Sequence, residues 1–258
     1  MNIFKEILQN NTTKKAAFCL IVASQGSTPR KVGTKMLVYE DGEIYGTIGG
    51  GNLEKKTIEN AIEQIRLQKP KLFKHDLLHQ HSMCCGGNVS IYIEPIVKKK
   101  RLYIFGAGHT GEALADFASK MDFEVFIIDD RKSYLDNIKI NGINKINLEY
   151  SKVLPSLPFC EETYITIMTY EHSFDRDILS YCIKQPHAYL GMIGSKRKII
   201  LTKKMFLEAN IGSQEKLDAV DMPMGYNINA ETPEEIAVSI LAKMIGVKNG
   251  NQQKKASQ

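Results

Sequence analysis

The spacing of apolar residues along this chain changes period many times, and each change marks an element. Ile3, Ile7 and Leu8 predict a short amphipathic helix, and the unbroken apolar run Ala16 to Ala23 predicts a buried strand. Two strands follow, Lys35 to Tyr39 and Glu43 to Thr47, joined by Asp41-Gly42, a pair that favours a tight hairpin. After Gly49-Gly50-Gly51 the period becomes helical, with Ile58, Ala61, Ile62 and Ile65 on one face, until Pro70 ends it. Leu72 to Leu77 and Val89 to Ile93 read as strands, and Glu94 to Lys100, with Pro95 and a basic run, reads as a solvated linker.

From Arg101 the pattern alternates strand and helix. Arg101 to Phe105 is a short apolar strand, followed by Gly106-Ala107-Gly108-His109-Thr110-Gly111 and a helix carrying Leu114, Phe117, Ala118 and Met121 on one face. A second strand, Val125 to Ile128, ends in Asp129. Further strands are predicted within Asn141 to Asn147, Thr163 to Thr169 and Ala188 to Ile193, while Leu154 to Phe159, with two prolines, reads as loop. Thr232-Pro233-Glu234-Glu235 opens a last helix with a capping threonine, Pro in the first turn and Glu three after the cap, and Ala237, Ile240, Leu241 and Met244 form its stripe. The fold class expected is α/β: an N-terminal α+β domain over residues 1–97, a Rossmann-like parallel-sheet domain over 98–248 and a disordered polar tail over 249–258.

Composition narrows the classes. Forty-three per cent hydrophobic and 24 per cent charged residues are ordinary for a globular protein, and the net charge of +5 is spread rather than striped, which argues against a nucleic-acid surface. Met1 to Lys15 lacks the apolar core of a signal peptide and no run approaches a membrane span. Five cysteines without a C-x-x-C pair fit reduced thiols, so a soluble cytoplasmic protein is expected, with no membrane or nucleic-acid partner.

Candidate chemistry sits at the glycine-rich turns. In the order strand, G-x-G-x-x-G, helix, strand, acid, Gly106 permits the turn, Gly108 lets backbone N–H groups approach a pyrophosphate, and Gly111 lets helix and strand pack. The helix start, with His109 in it, favours an anion. Asp129 stands where an acid takes a ribose hydroxyl and repels a 2′-phosphate. His172 and Ser195, at the carboxyl ends of later strands, fall on the same edge. Lys196 to Lys198 oppose a helix dipole unless an anion binds there, and His172 with Asp175 is either an acid–base pair or a helix-start arrangement. In the N-terminal half, Gly49, Gly50 and Gly51 either gather N–H groups on an anion or simply reverse the chain. His79, His81, Cys84 and Cys85 match no zinc spacing, so no metal site is expected; Cys85 beside Gly86-Gly87 is either an open thiol or a packed one.

Six motifs carry a resemblance: GSTPRKVGTKMLV from Gly26, GTIGGGNLE from Gly46, Cys85-Gly86-Gly87, IFGAGHTGEALA from Ile104, YLGMIGSKRK from Tyr189 and ETPEEIAVSI from Glu231. In this order they resemble the XdhC/CoxI family, the xanthine dehydrogenase accessory factors. The resemblance implies a protein that binds molybdenum cofactor, as molybdopterin or its dinucleotide form, protects it during sulfuration and passes it to an apo-molybdenum hydroxylase. It further implies a cysteine desulfurase as sulfur donor and a carrier rather than a turnover enzyme; a homodimer is also expected. On this basis Arg30, Gly49 to Gly51 and Cys85 are expected at the cofactor, with Gly106, Gly108, Gly111 and Asp129 holding NAD or another nucleotide. Tyr170 stands where the family usually has a histidine before Glu171-His172, and Tyr226 and Asn229 replace residues more often Leu and Gly. Two other functions compete: an NAD-dependent oxidoreductase with His172 as general acid–base, and a nucleotide-binding sensor.

Overall fold

The computed structural model describes residues 3–9, 14–77, 87–96 and 99–256. The chain divides in sequence between Lys98 and Lys99 into two compact units, the second ending at Lys254.

In the first unit, α1 (Ile3–Gln9), β1 (Ala16–Gln25), β2 (Lys35–Tyr39), β3 (Ile44–Gly46), α2 (Gly51–Leu67), β4 (Lys71–Asp76) and β5 (Asn88–Ile96) follow one another. The strands form an antiparallel sheet in the order β3-β2-β1-β5-β4. Asp41-Gly42 makes the hairpin: Gly42 has φ +86°, and the Asp41 carboxylate accepts from Glu43 N at 3.1 Å. The apolar run of β1 is not buried on both faces. Ala17, Cys19 and Ile21 enter one core with Leu53, Ala61 and Ile65 of α2, while Phe18 faces a smaller cluster with Ile3 of α1, Leu37 and Tyr39.

Two expectations here need correction. The buried residues of α2 are Leu53, Thr57, Asn60, Ala61, Gln64 and Ile65, with Ile58 packed against the same core; of the four expected on this face only Ile62, 36% exposed, turns outward. Thr57 is admitted to the core because its hydroxyl donates to Leu53 O at 2.8 Å and leaves no unmet polar group. Glu94 to Ile96 is strand rather than linker: Pro95 stands opposite Ala17 in β5, beyond the last residue that β4 pairs. With a neighbour on one side only, proline's missing N–H is tolerated there.

The second unit runs β6 (Lys100–Phe105), α3 (His109–Ser119), β7 (Phe123–Ile128), α4 (Lys132–Asn137), β8 (Asn144–Ile146), α5 (Tyr150–Val153), β9 (Tyr164–Ile167), α6 (His172–Cys182), β10 (Tyr189–Met192), α7 (Lys196–Glu208), α8 (Gln214–Ala219) and α9 (Pro233–Ala256). All five strands are parallel, in the order β10-β9-β6-β7-β8. Leu102 and Ile104 of β6 point into the core shared with α3 and α9, and Tyr103 and Phe105 into the one shared with α6 and α7. The chain therefore winds outward from β6 to β8 and restarts beside β6 at β9, which places the topological switch between β6 and β9. Leu154 to Ser156 adds a short 3-10 turn inside the stretch read as loop, and α9 continues past Asn249, where the sequence pattern ends the helix.

Candidate functional site

In the first unit, separate sequence motifs are brought against one another. Gly49, Gly50 and Gly51 have φ of +131°, +76° and +63°, a run that side-chain-bearing residues rarely adopt. A Cβ on Gly49 would lie 2.7 Å from Pro29 Cγ, and one on Gly87 would lie 2.5 Å from the Ser27 carbonyl oxygen. The loop from Ser27 to Arg30 is thus threaded between the glycine turn and Gly87. Beside it opens a cavity of about 560 Å³ lined by Ile3, Phe4, Arg30, Gly33, Thr34, Lys35 and Thr47. Its volume is in the range of small-molecule sites. Lys35 Nζ donates to Gly33 O at 2.8 Å, while among the described residues none pairs with the Arg30 guanidinium. Cys85 lies outside the described residues.

The N–H groups of Gly49 and Gly50 are engaged within the protein. One carboxylate oxygen of Glu54 accepts from the Thr47 hydroxyl, from Ile48 N at 3.1 Å and from Gly50 N at 3.2 Å. Gly49 N donates to Thr47 Oγ1 at 3.1 Å. The chain supplies its own anion from the first turn of α2, the position where a negative charge suits the helix dipole. Glu54→Ala is expected to lower stability by about 1.5–3 kcal/mol, because two backbone N–H groups lose a charged acceptor. Urea denaturation measures this, and an unchanged midpoint would remove Glu54 from that role.

In the second unit the three glycines of the fingerprint differ. A Cβ on Gly106 would sit 2.2 Å from Met168 O, and one on Gly111 would sit 2.0 Å from Gly106 O. These two serve close packing. Gly108 has nothing within 4 Å of its Cβ position and is the N-cap of α3, with no side-chain hydrogen bond capping the helix. His109, exposed, is the first residue of α3.

Asp129 corrects the expectation of a free ribose acid. It is 0% exposed; Oδ2 accepts from Ala107 N at 2.7 Å and Arg131 Nη2 at 2.9 Å, and Oδ1 from Arg131 N and Nε, each at 2.9 Å. Burial by itself raises this pKa, but the Arg131 side chain and the N–H groups of Ala107 and Arg131 outweigh it and hold the carboxyl below the ordinary aspartate value. The Arg131 guanidinium lies between two rings, 3.9 Å from the Tyr134 centroid and 4.0 Å from that of Tyr170. Tyr170 thus works as an arginine platform and donates to Asp130 Oδ2 at 3.1 Å. Sequence reasoning missed Arg131, Tyr134 and Glu54; an arginine two residues past the acid was the available signal.

His172 opens α6 with its side chain 73% exposed, and its Nδ1 is 3.7 Å from Asp175 Oδ2. Asp175 is no base partner for it. The buried carboxylate accepts from Thr169 N at 2.9 Å, Thr169 Oγ1 at 2.7 Å and Lys198 Nζ at 2.7 Å, and so fastens the loop after β9 to the start of α7. Lys198 is therefore neither a solvated lysine nor a phosphate ligand. Ser195 is the N-cap of α7, its hydroxyl accepting from Lys198 N at 3.3 Å. Burial pushes the Cys19 and Cys182 thiols up to about 12, which leaves both inert near neutrality. Among the described residues no cluster of three or more His, Cys, Asp or Glu can hold a metal, and no helix is long and apolar enough to cross a membrane.

Comparison with known proteins accords with the fold. Residues 102–244 match the XdhC Rossmann domain, and residues 11–76 match the XdhC and CoxI family. The chain belongs to the XdhC and CoxI family. It is 35% identical over 256 residues to the uncharacterized protein YqeB of Escherichia coli (strain K12), covering 96% of this chain and 47% of that one. It is 27% identical over 157 residues to a probable xanthine dehydrogenase component of Bacillus subtilis (strain 168), covering 60% of this chain and 45% of the relative. The XdhC-family chain thus spans just under half the length of these curated relatives. A crystal structure described as a xanthine dehydrogenase from Bacillus halodurans shares the fold, with a TM-score of 0.51, 22% identity and 95% of both chains covered.

Proposed function

We propose that this protein is an accessory factor for a xanthine dehydrogenase-type molybdenum hydroxylase, holding molybdenum cofactor during sulfuration and then delivering it. The observation that carries the reading is the convergence of the Arg30 loop, the Gly49 turn and Gly87 beside one cavity. Family membership and the name of the Bacillus subtilis relative support the partner class.

The residues present fit such a group in the cavity and not at the N–H groups of Gly49 and Gly50, which donate to Thr47 Oγ1 and to Glu54. When bound, the cofactor supplies a phosphate and a dithiolene-held molybdenum. Arg30 and Lys35 offer positive charge to the phosphate, Thr34 and Thr47 line the same space, and Phe4 and Ile3 give apolar cover to the pterin. Cys85 remains the proposed thiol near the metal. A cysteine desulfurase as sulfur source, a homodimeric assembly and a cytoplasmic setting belong to the same proposal. An oxidoreductase using His172 draws no support from the geometry, because the acid beside that histidine is committed to Thr169 and Lys198.

The test is elemental analysis with pterin fluorescence on protein purified anaerobically from a cofactor-making cell. Stoichiometric molybdenum is expected, with Arg30→Ala reducing retention roughly tenfold, the loss of one charge-assisted contact. Metal-free, pterin-free protein from such a cell would defeat the proposal.

A further inference from the structure

Helix α7 carries apolar residues on two opposite sides. Ile199, Thr202 and Phe206 are buried, and Ile199 and Phe206 join the core shared with β9 and α6. At 3.6 residues per turn, Arg197, Ile200, Leu201, Lys204 and Glu208 fall on the face turned away from that core, with Met205 at its margin. A surface helix is ordinarily polar on this side. Here Ile200 is 70% exposed, Leu201 56% and Met205 41%, all within two turns. Scattered exposed apolar residues need no explanation, but a contiguous group at the solvent pole of one helix marks a contact surface.

The charges on the same face say what it contacts. Arg197 lies in the first turn of α7 and Glu208 is its last residue, so each stands at the helix end where the dipole disfavours its charge. Among the described residues no carboxylate pairs with Arg197, and Glu208 meets Lys204 at 3.8 Å with both side chains mostly in water. A second α7 laid antiparallel across this face reverses both signs, because Arg197 then lies beside the other helix's C-terminus and Glu208 beside its N-terminus. In the register that sets Arg197 against the partner's Glu208, Ile200 meets the partner's Met205, and Leu201 lies along the aliphatic stem of the partner's Lys204. These three pairs share one midpoint along the helix, between Thr202 and Lys203, so each contact occurs twice, as a two-fold interface requires. A shift of one turn would set Arg197 against the partner's Lys204, like charge against like, so the charges fix the register.

We infer that the exposed face of α7 is a two-fold contact with a second copy of this chain, the two α7 helices packing antiparallel through Ile200, Leu201 and Met205, with Arg197 opposite the partner's Glu208. The inference deepens the homodimeric reading given above and draws nothing from molybdenum binding. Its test reads assembly alone, so either can fail without the other.

The experiment is sedimentation analysis of the full chain over a range of micromolar concentrations, where the wild type should be a dimer. Ile200→Glu places a charge in the contact twice per dimer and should weaken association roughly a hundredfold. Its far-ultraviolet spectrum should be unchanged, since the side chain stands outside the core. Arg197→Glu and Glu208→Arg should each weaken association roughly tenfold, and the two together in one chain should restore it. Restoration requires that the two charges face each other across the interface, whereas damage to the helix itself would accumulate. For the register, Ile200→Cys and Met205→Cys in one chain should give a covalent dimer on oxidation beyond that of the wild type, and neither alone should. A wild type that stays monomeric throughout, a dimer that Ile200→Glu leaves intact, or a combined charge exchange no better than either single one would overturn the assignment.

Discussion

Gly106→Ala should leave the parallel-sheet unit unfolded or close to it. Gly106 has φ +114°, a region closed to side-chain-bearing residues, and the added methyl would sit 2.2 Å from the Met168 carbonyl oxygen and 2.7 Å from its carbon. Neither partner can step aside. Met168 N donates to Phe105 O at 2.8 Å, and Gly106 N to Ile128 O at 2.9 Å, so the clash falls between segments tied to three adjacent strands. Backbone strain of about 1–3 kcal/mol adds to an overlap that relaxation cannot remove, against a usual domain stability of about 5–15 kcal/mol. Loss of the cooperative urea transition of this unit is the expected outcome. Gly108→Ala is the control, with φ −74° and open space about its Cβ position, and should cost under about 1 kcal/mol. A Gly106→Ala protein that melts with the wild type would refute the packing argument.

Asp129→Ala should cost about 3–5 kcal/mol, the usual loss when one partner of a buried ion pair is removed. The Arg131 side chain is 25% exposed, so water recovers part of its charge and the lower end applies. Ala107 N also loses its acceptor. The same carboxylate makes stability depend on pH. Its folded pKa lies below the unfolded value, so the stabilisation is complete above about pH 4 and is lost as pH falls through the folded pKa. Urea midpoints of the wild type and Asp129→Asn should therefore differ by a constant amount at neutral and mildly acidic pH and converge below about pH 4. A gap that persists undiminished at the acid end would mean that the carboxylate is not the group responsible.

The glycine spacing led to both of these residues, and Gly106 makes the turn expected of it. Gly106 at the turn and Gly111 at the helix–strand contact are closely packed, as their places in the fingerprint imply, and Gly108 alone of the three has room beside it. Asp129 occupies the expected end of β7 but is engaged within the protein. Glu54 is the same lesson in the other unit: an ordinary surface-looking glutamate turns out to fill the glycine turn. His172 and Ser195 reach the expected sheet edge, where one is an exposed helix start and the other a helix cap.

From residue order alone, the strand–turn–helix alternation, the hairpin at Asp41-Gly42 and the capped start of α9 could be read, because each depends on neighbours within a few positions. Family kinship was legible for a similar reason, since short motifs in a set order survive without knowledge of their contacts. Which glycine-turn N–H groups remain available was decided only by folding. Asp129 reaches Ala107 across 22 residues, and Lys198 reaches Asp175 across 23. A hydrogen bond saturates the groups it joins, so a turn built to receive an anion and one already filled by its own carboxylate have the same sequence signature. The three-dimensional arrangement of donors and acceptors tells them apart.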